Sequence, residues 1–363
     1  MIFRTPDFYR DFHCIADRCG DSCCIGWEID IDPDTLARYQ AVPGPFGEEL
    51  KQGIVQSEDG ASCFRLDASE RCVFLDQRNL CRIYSKLGED ALCTICTRHP
   101  RFFNWFGPVK EGGHGLCCEE AARLWLCRDT PLTLVSEEID EAPDGALPQW
   151  FPLLEKARGL VLSRLEAPEL PLWERLGFLL ALGELLQPCV DEDDFSQAEA
   201  LLEALGEKGL AELPSSKPHS DPPAALLEWH RGLSPMNPQW PRRLQEALEK
   251  LPESWETRSP WLQTHGQFLQ NLAVYLCFRY FLRACLDGDV AGRCRFIVSA
   301  CLTVLALALT EDGPFPLLAK DYSKEMEYSE EALDAISEAV WQEPLFSPAN
   351  LLGWLRQLDS QSR

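Results

Sequence analysis

Positive charge is scarce in this chain. It carries 34 Lys and Arg against 58 Asp and Glu, a formal net charge of −24. A protein that grips phosphates needs a basic face, so a nucleic-acid partner is not expected. Long apolar runs are missing too. The longest candidate, Phe296 to Leu309, spans 14 residues, holds Ser299 and Thr303, and is flanked by Arg295 and Glu311. A membrane-spanning helix needs about 20 apolar residues, so this stretch reads as a buried helix of a soluble protein, with no membrane insertion. The opening MIFRTPDFYR, with Asp7 and Asp11 nearby, lacks the apolar core of a signal peptide. A cytoplasmic location is expected on that ground. Strand-length alternation of period two is almost absent, which argues against a sheet protein. No strand leads into a G-x-G-x-x-G turn and helix, so no Rossmann-type nucleotide site is visible. Gly112-Gly113-His114-Gly115 reads as a turn.

Cysteine is abundant instead. Twelve of the 17 cysteines lie before residue 130, ten of them in close pairs: Cys14 and Cys19, Cys23-Cys24, Cys72 and Cys81, Cys93 and Cys96, Cys117-Cys118, with Cys63 and Cys127 single. Thiols this dense either staple a secreted fold or hold metal. A chain of 363 residues can build a large core and does not need staples. With no export signal in view, metal is the favoured reading. Cys93-Thr94-Ile95-Cys96 is a C-x2-C hook of the kind zinc and iron–sulfur sites share. Cys19-x3-Cys23-Cys24 is not a zinc knuckle. Nor is it the C-x3-C-x2-C run of radical chemistry, because Gly26 stands where the third thiol would fall. Adjacent cysteines rarely ligate one ion together, so each doublet is expected to hold one ligand and one packing thiol. Softness alone leaves zinc and iron–sulfur both open.

The run Phe12-x-Cys14…Cys19-x3-Cys23-Cys24-x-Gly26-Trp27-x-Ile29-x-Ile31-Asp32 resembles the start of the flagellin lysine-N-methylase family. That family sits within a wider group of cysteine-cluster proteins described as zinc or iron chelators. The likeness continues at Cys72-x-Phe74-Leu75, Leu80-Cys81-x-Ile83-Tyr84, Leu87-Gly88-Glu89 and Leu92-Cys93-x2-Cys96. It then runs through Pro100-Arg101 to Leu116-x-Cys118-x-Glu120-Ala121-Ala122. A late stretch, Tyr322 to Ser329, is similar to the family's Ser-Lys-x-x-Glu-His-Ser segment. Three departures stand out: His99 precedes Pro100-Arg101 where a Tyr is expected, Glu119 replaces a Pro, and Tyr328 replaces the late His. The resemblance implies methyl transfer from S-adenosylmethionine to lysines of flagellin, with an iron–sulfur cluster of the 4Fe-4S type and zinc as the alternative. It implies metal ligation by a subset of Cys14, Cys19, Cys23, Cys24, Cys72, Cys81, Cys93, Cys96 and Cys118.

Other residues carry weaker signals. Arg98, His99 and Arg101 follow the hook directly. Their guanidinium groups suit a carboxylate or a cofactor tail; equally, they are basic residues at a helix C-terminus. His13 beside Cys14 reads as a residue supporting a ligand rather than one itself. Trp27 could pack over a cluster or simply be core. Glu119 and Glu120 could serve as a base for a lysine ammonium, or merely open a helix.

Past residue 130 leucine and alanine recur at helical spacing. Helices are expected over 150–165, 173–186, 195–205, 224–233, 244–251, 261–286, 291–310, 329–341 and 348–358, with proline-rich breaks at 213–223, 234–241 and 252–260. Cys294 and Cys301 share a face of one of them and read as small core residues. The fold expected is mostly α: a cysteine-rich metal-binding domain of helices and loops over 1–130, with room for a short strand at Trp27 to Ile31, packed on an acidic helical domain over 131–363. The acidity is concentrated in the second part, with 19 Lys and Arg against 37 Asp and Glu, compared with 15 against 21 in the first. Such a surface draws lysine-bearing partners, although solubility alone would favour it. The two parts are expected to form one body with a cleft between the cysteines and the acidic helices. Besides the methyltransferase, two readings remain: a zinc-stabilised helical adaptor without catalysis, and a redox or metal-handling protein.

Metal binding to such a domain is folding free energy. Stripping metal is therefore expected to expose residues 14–118 to protease while the helical part stays protected. Uniform resistance of the stripped protein in a limited-proteolysis series would exclude a metal-held domain.

Overall fold

The computed structural model describes residues 1–57, 60–208, 222–255 and 258–358. The fold is mostly α, as the leucine periodicity predicts, but it holds a four-stranded sheet that the sequence pattern conceals. Strand β1 (Ile2–Pro6) opens the chain. Helices α1 (Pro33–Ala41) and α2 (Gly44–Gln52) follow, then a hairpin of β2 (Ile54–Gln56) and β3 (Ser62–Phe64), then short helices α3 (Arg82–Leu87) and α4 (Thr94–Arg98). The chain next forms β4 (Arg101–Phe106), β5 (Val109–His114), α5 (Glu119–Leu126) and β6 (Leu134–Glu138). The sheet order is β4-β5-β1-β6, with β5 parallel to β1 and antiparallel to β4.

The glycine run is thus not a turn but part of a central strand. Every residue of β5 is buried, so no polar alternation marks it. Its glycines make room for rings. A Cβ at Gly113 would stand 2.6 Å from the Phe102 ring, and one at Gly112 would stand 2.7 Å from Phe3. Nor is 27–31 a strand. Ile29 and Ile31 are buried, and two backbone bonds, Phe64 N–H to the Ile29 carbonyl (3.0 Å) and Ile31 N–H to the Ser62 carbonyl (2.7 Å), join this segment to the β3 region, with the Cys63 thiol on the Glu28 carboxylate (2.8 Å). One isolated bridge does not make a ladder.

The remaining chain is helical: α6 (Phe151–Leu165), α7 (Leu172–Asp191), α8 (Phe195–Lys208), α9 (Pro222–Arg231), α10 (Trp240–Trp255), α11 (Arg258–Tyr280), α12 (Ala284–Asp287), α13 (Val290–Thr310), α14 (Phe315–Glu327), α15 (Glu330–Gln342) and α16 (Pro348–Gln357). The expected helix 261–286 is broken, because a 3-10 turn at Phe281–Arg283 separates α11 from α12. Most of the expected break at 213–223, and part of that at 252–260, lie outside the described residues. Helix α14 escapes the sequence reading because its buried face includes Lys320, Ser323, Glu325 and Glu327 alongside Leu318, Tyr322 and Met326.

Helix α13 runs through the middle and packs on α7, α9, α10, α11 and α15. Among the described residues it is the one helix long and apolar enough to cross a bilayer, but 94% of its most apolar stretch is buried inside the fold. Cys294 and Cys301 sit fully buried on it, and Gly183 of α7 gives the Cys294 sulfur room.

Two apolar cores result. The large one runs from Phe106 to Leu358 and takes in the sheet's β4–β5 turn. The small one gathers Ile29, Ile31, Tyr39, Leu50, Phe64, Phe74 and Ile83 with Cys72 and Cys93. Asp32 organises the small one. Its carboxylate caps α1 through Thr35 N–H (3.0 Å) and α4 through Thr94 N–H (2.8 Å).

The amides of Thr94 and Thr35 hold the Asp32 carboxyl well below the usual carboxylate range. With the folded pKa depressed, this stabilisation is complete above the ordinary aspartate pKa of about 3.9 and is lost as pH falls below it. Asp32→Ala is expected to cost about 1–2 kcal/mol in urea unfolding at neutral pH, and the gap from wild type is expected to narrow in acid. A gap independent of pH would show that the carboxylate charge does not contribute.

Candidate functional site

The small core exists largely to hold thiols. Cys72 precedes Phe74, whose ring packs on Phe64 (5.2 Å between centroids). Cys81 is the N-cap of α3, Cys93 the N-cap of α4, and Cys96 lies one turn on. Cys24 is tied to this group by the Cys72 N–H, which donates to its carbonyl at 2.9 Å. All nine cysteines expected to bind metal are thiols rather than disulfides.

Their electrostatics show which of them converge. A shared proton raises Cys24 and lowers its neighbour Cys23, whose sulfur lies 3.9 Å away, and burial and the charges of Cys96 and Cys72 raise Cys24 further. The pair Cys93 and Cys96 behaves alike: hydrogen bonding lowers Cys93 and raises Cys96, which Cys81 and Cys23 also oppose. Burial pushes Cys72 up to about 11, helped by Cys81, Cys93 and Cys23. Cys81 is raised by burial and by Cys23 and Cys93. Six thiols, Cys23, Cys24, Cys72, Cys81, Cys93 and Cys96, are therefore linked electrostatically to one another as a group. Burial carries Cys118 up to about 12, with Cys19 and Cys23 adding to it, so these two flank the same group. Cys14 stands apart on an exposed loop, its sulfur accepting from Ala16 N–H at 3.4 Å. Among the described residues, no three Cys, His, Asp or Glu side chains are grouped as a ready-made ion site.

The doublet Cys117-Cys118 is divided. Cys118 faces the thiols, whereas Cys117 is buried and hydrogen-bonds Tyr328. Tyr328 packs so closely over Gly115 that no side chain fits there. Behind it lies a buried polar knot. Glu327 pairs with Arg279 (2.9 Å) and accepts from Tyr275 (2.8 Å) and Tyr280 (2.9 Å). The sequence pointed to this knot only through the late string that holds Glu327 and Tyr328.

The other residues singled out are dispersed. Arg98 is exposed in the last turn of α4. Arg101 opens β4 with its guanidinium over Phe12 (5.4 Å) and Tyr9 (5.9 Å). Those two rings also sandwich the buried His114, at 4.6 and 4.8 Å. His99 is half-buried, and its buried Nε2 has no partner among the described residues; desolvation, with Lys324 nearby, lowers its pKa to about 4. His13 is exposed. Glu120 pairs with Arg123 on its own helix, while Glu119 accepts from Gly20 N–H at 2.8 Å and faces Cys19.

A cleft of about 900 Å3 opens beside the thiols. Asp21, Ile25, Trp27 and Glu70 line one wall; α10, α14 and the segment around Met236 form the other. Asp21 crosses the base, accepting from Lys320 (2.8 Å) and Lys324 (2.9 Å) of α14. Burial works against its charge, but the two ammonium groups outweigh it and hold the carboxyl at about 2. The Trp27 N–H donates to the Cys23 carbonyl at 3.0 Å, which fixes the indole at the edge of the thiol group.

Residues 158–354, more than half of the chain, match the FliB lysine N-methylase C-terminal domain. The chain belongs to the FliB family. It is 26% identical over 160 residues to the lysine-N-methylases of Salmonella typhimurium and Salmonella choleraesuis, a span covering 43% of this chain and 40% of theirs. It is 28% identical over 120 residues to the flagellar biosynthetic protein FliU of Salmonella muenchen, covering 32% of this chain and 71% of that one. The chain thus aligns with well under half the length of the two lysine-N-methylases. No solved structure matches it. The FliB match begins inside α6 and ends inside α16, so it includes Arg279, Lys324 and Glu327 and leaves the cysteine-rich region outside.

Asp21→Ala removes two charge-assisted hydrogen bonds at the joint between the two cores. A loss of about 1–3 kcal/mol is expected, with faster proteolysis of the loop around residues 15–25. An unchanged cleavage rate would show that the joint is held by other contacts.

Proposed function

We propose that this FliB-family chain is a protein-lysine N-methyltransferase acting on flagellin, with S-adenosylmethionine as methyl donor and a cysteine-held iron–sulfur cluster, 4Fe-4S, beside the acceptor. The reading is supported by the family match together with six thiols gathered at one edge of a cleft. Thiols whose ionisations oppose one another become thiolates together only when a cation compensates them. The donor set is soft and all sulfur, which suits iron–sulfur and also zinc. The small core around it also benefits from metal as a source of folding energy.

Three of Cys24, Cys72, Cys81, Cys93 and Cys96 would hold the cluster and leave one iron without a thiolate; Cys19 and Cys118 flank the group. When bound, the cluster supplies an iron centre at which S-adenosylmethionine can be chelated. The protein's own work is the acceptor's. A lysine ammonium must lose its proton before its nitrogen lone pair attacks the methyl carbon and the sulfonium C–S bond breaks. Glu119, beside Cys19, is the carboxylate placed nearest the thiol edge to take that proton. Thiols of this kind suit the reducing cytoplasm.

Anaerobically purified protein is expected to be brown and to contain iron and sulfide. Cys93→Ser and Cys96→Ser are expected to lose metal, while Cys117→Ser keeps it. Flagellin co-expressed with the intact chain is expected to carry methyl-lysine by mass spectrometry, and none when made with the Cys93/Cys96 double variant. Colourless protein with stoichiometric zinc and unmethylated flagellin would replace this reading with a zinc-stabilised adaptor.

A further inference from the structure

The cleft has the chemistry of a cation site. Its lining holds seven carboxylates against four basic groups. Three of the four are already paired: Arg243 with Glu311 and Asp321, Arg242 with Glu246, and Lys324 with Asp21. Glu70 and Asp312, both exposed, form no ion pair among the described residues. A cleft with surplus negative charge favours a cationic guest and raises its encounter rate.

One cation already shows where a guest would sit. Lys324 Nζ lies over the Trp27 indole, 5.1 Å from the ring centre. An electron-rich indole face attracts any ammonium placed there. Beside it, Ile25, Met236, Pro238 and Trp240 give the cleft apolar wall, which suits the methylene stem of a lysine whose head stays charged.

We propose that this cleft binds a lysine-bearing segment of a protein partner, its ammonium on the Trp27 face now occupied by Lys324. The proposal rests on the methyltransferase reading for its purpose, because the Trp27 ring is tied to the Cys23 carbonyl and so delivers the guest amine to the edge of the thiols. Lys324 keeps Asp21 as a partner when it swings aside, so the exchange leaves no buried charge unpaired.

The test uses the full chain and a fluorescent peptide with a single lysine among small neutral residues. An otherwise identical peptide carrying acetyl-lysine is the control. The lysine peptide is expected to bind and the acetylated one not to. Glu70→Lys combined with Asp312→Lys, both exposed and harmless to folding, is expected to weaken binding roughly fivefold or more. Trp27→Leu is expected to abolish binding and Trp27→Phe to retain it in part. Equal binding of both peptides, indifference to the charge reversals, or displacement of the peptide by S-adenosylmethionine in a one-for-one manner would overturn the assignment, as would no binding by the wild type. Flagellin methylation at the wild-type rate by the charge-reversed variant would remove the cleft and leave the methyltransferase reading. Charge-dependent, acetyl-sensitive binding without any methyl transfer would keep the cleft and remove that reading.

Discussion

The buried ion pair between Glu111 and Arg158 ties the central strand of the sheet to the first long helix of the helical region. Glu111 lies mid-way along the central strand β5 and Arg158 on α6; their side chains are 0% and 2% exposed. Charges so deep are tolerated only when fully paired. Here the guanidinium grips both carboxylate oxygens at 2.6 and 2.7 Å, and Arg4 of β1 adds a third contact at 3.3 Å. The pair fixes the register of β5, with Glu111 opposite Arg4 on one side and Asn104 on the other. A slip of one residue would turn Glu111 to the wrong face.

A second constraint acts on the thiols themselves. Helix N-caps, a tight loop and a doublet bring Cys23, Cys24, Cys72, Cys81, Cys93 and Cys96 into one electrostatic group; ionising one opposes several others, while Cys24 and Cys96 ease the ionisation of Cys23 and Cys93. Protonated, they are soft packing groups of a core that is otherwise only a few side chains thick. Ionised, they repel.

Much of the helical region could be read in the sequence, because leucine at spacings of three and four reports directly on a buried face. The sheet could not. Strand β5 is buried on both faces, so it shows no alternation, and its glycines look like a turn until the rings of Phe3 and Phe102 are seen lying on them. Helix α14 was hidden for a different reason: its inward face is polar. Lys320, Glu325 and Glu327 are buried because each has a partner far away in sequence, and no local pattern announces a partner. The spacing of the cysteines pointed to a cluster, but not to how differently its thiols are exposed, from the buried Cys93 to the open Cys14 and Cys23. Nor did sequence reveal that Trp27 would meet Lys324, almost three hundred residues away.

Helix α14 explains how the two cores can share a cleft without blurring into each other. Successive turns face different neighbours. Lys320 and Lys324 reach Asp21 in the cysteine-rich region, Asp321 holds Arg243 of α10, Glu325 accepts from Met236 N–H (2.8 Å) and Asn237 N–H (2.9 Å), and Glu327 anchors the tyrosine knot. A helix pinned on every side cannot slide to admit a guest. The one group at its cleft face with somewhere else to go is the Lys324 side chain, flexible along its length and paired to Asp21 whether or not it lies on Trp27. The cleft wall is therefore rigid in its backbone and adjustable in a single ammonium. That is the arrangement in which one cation can be exchanged for another of the same shape without disturbing the thiols behind it.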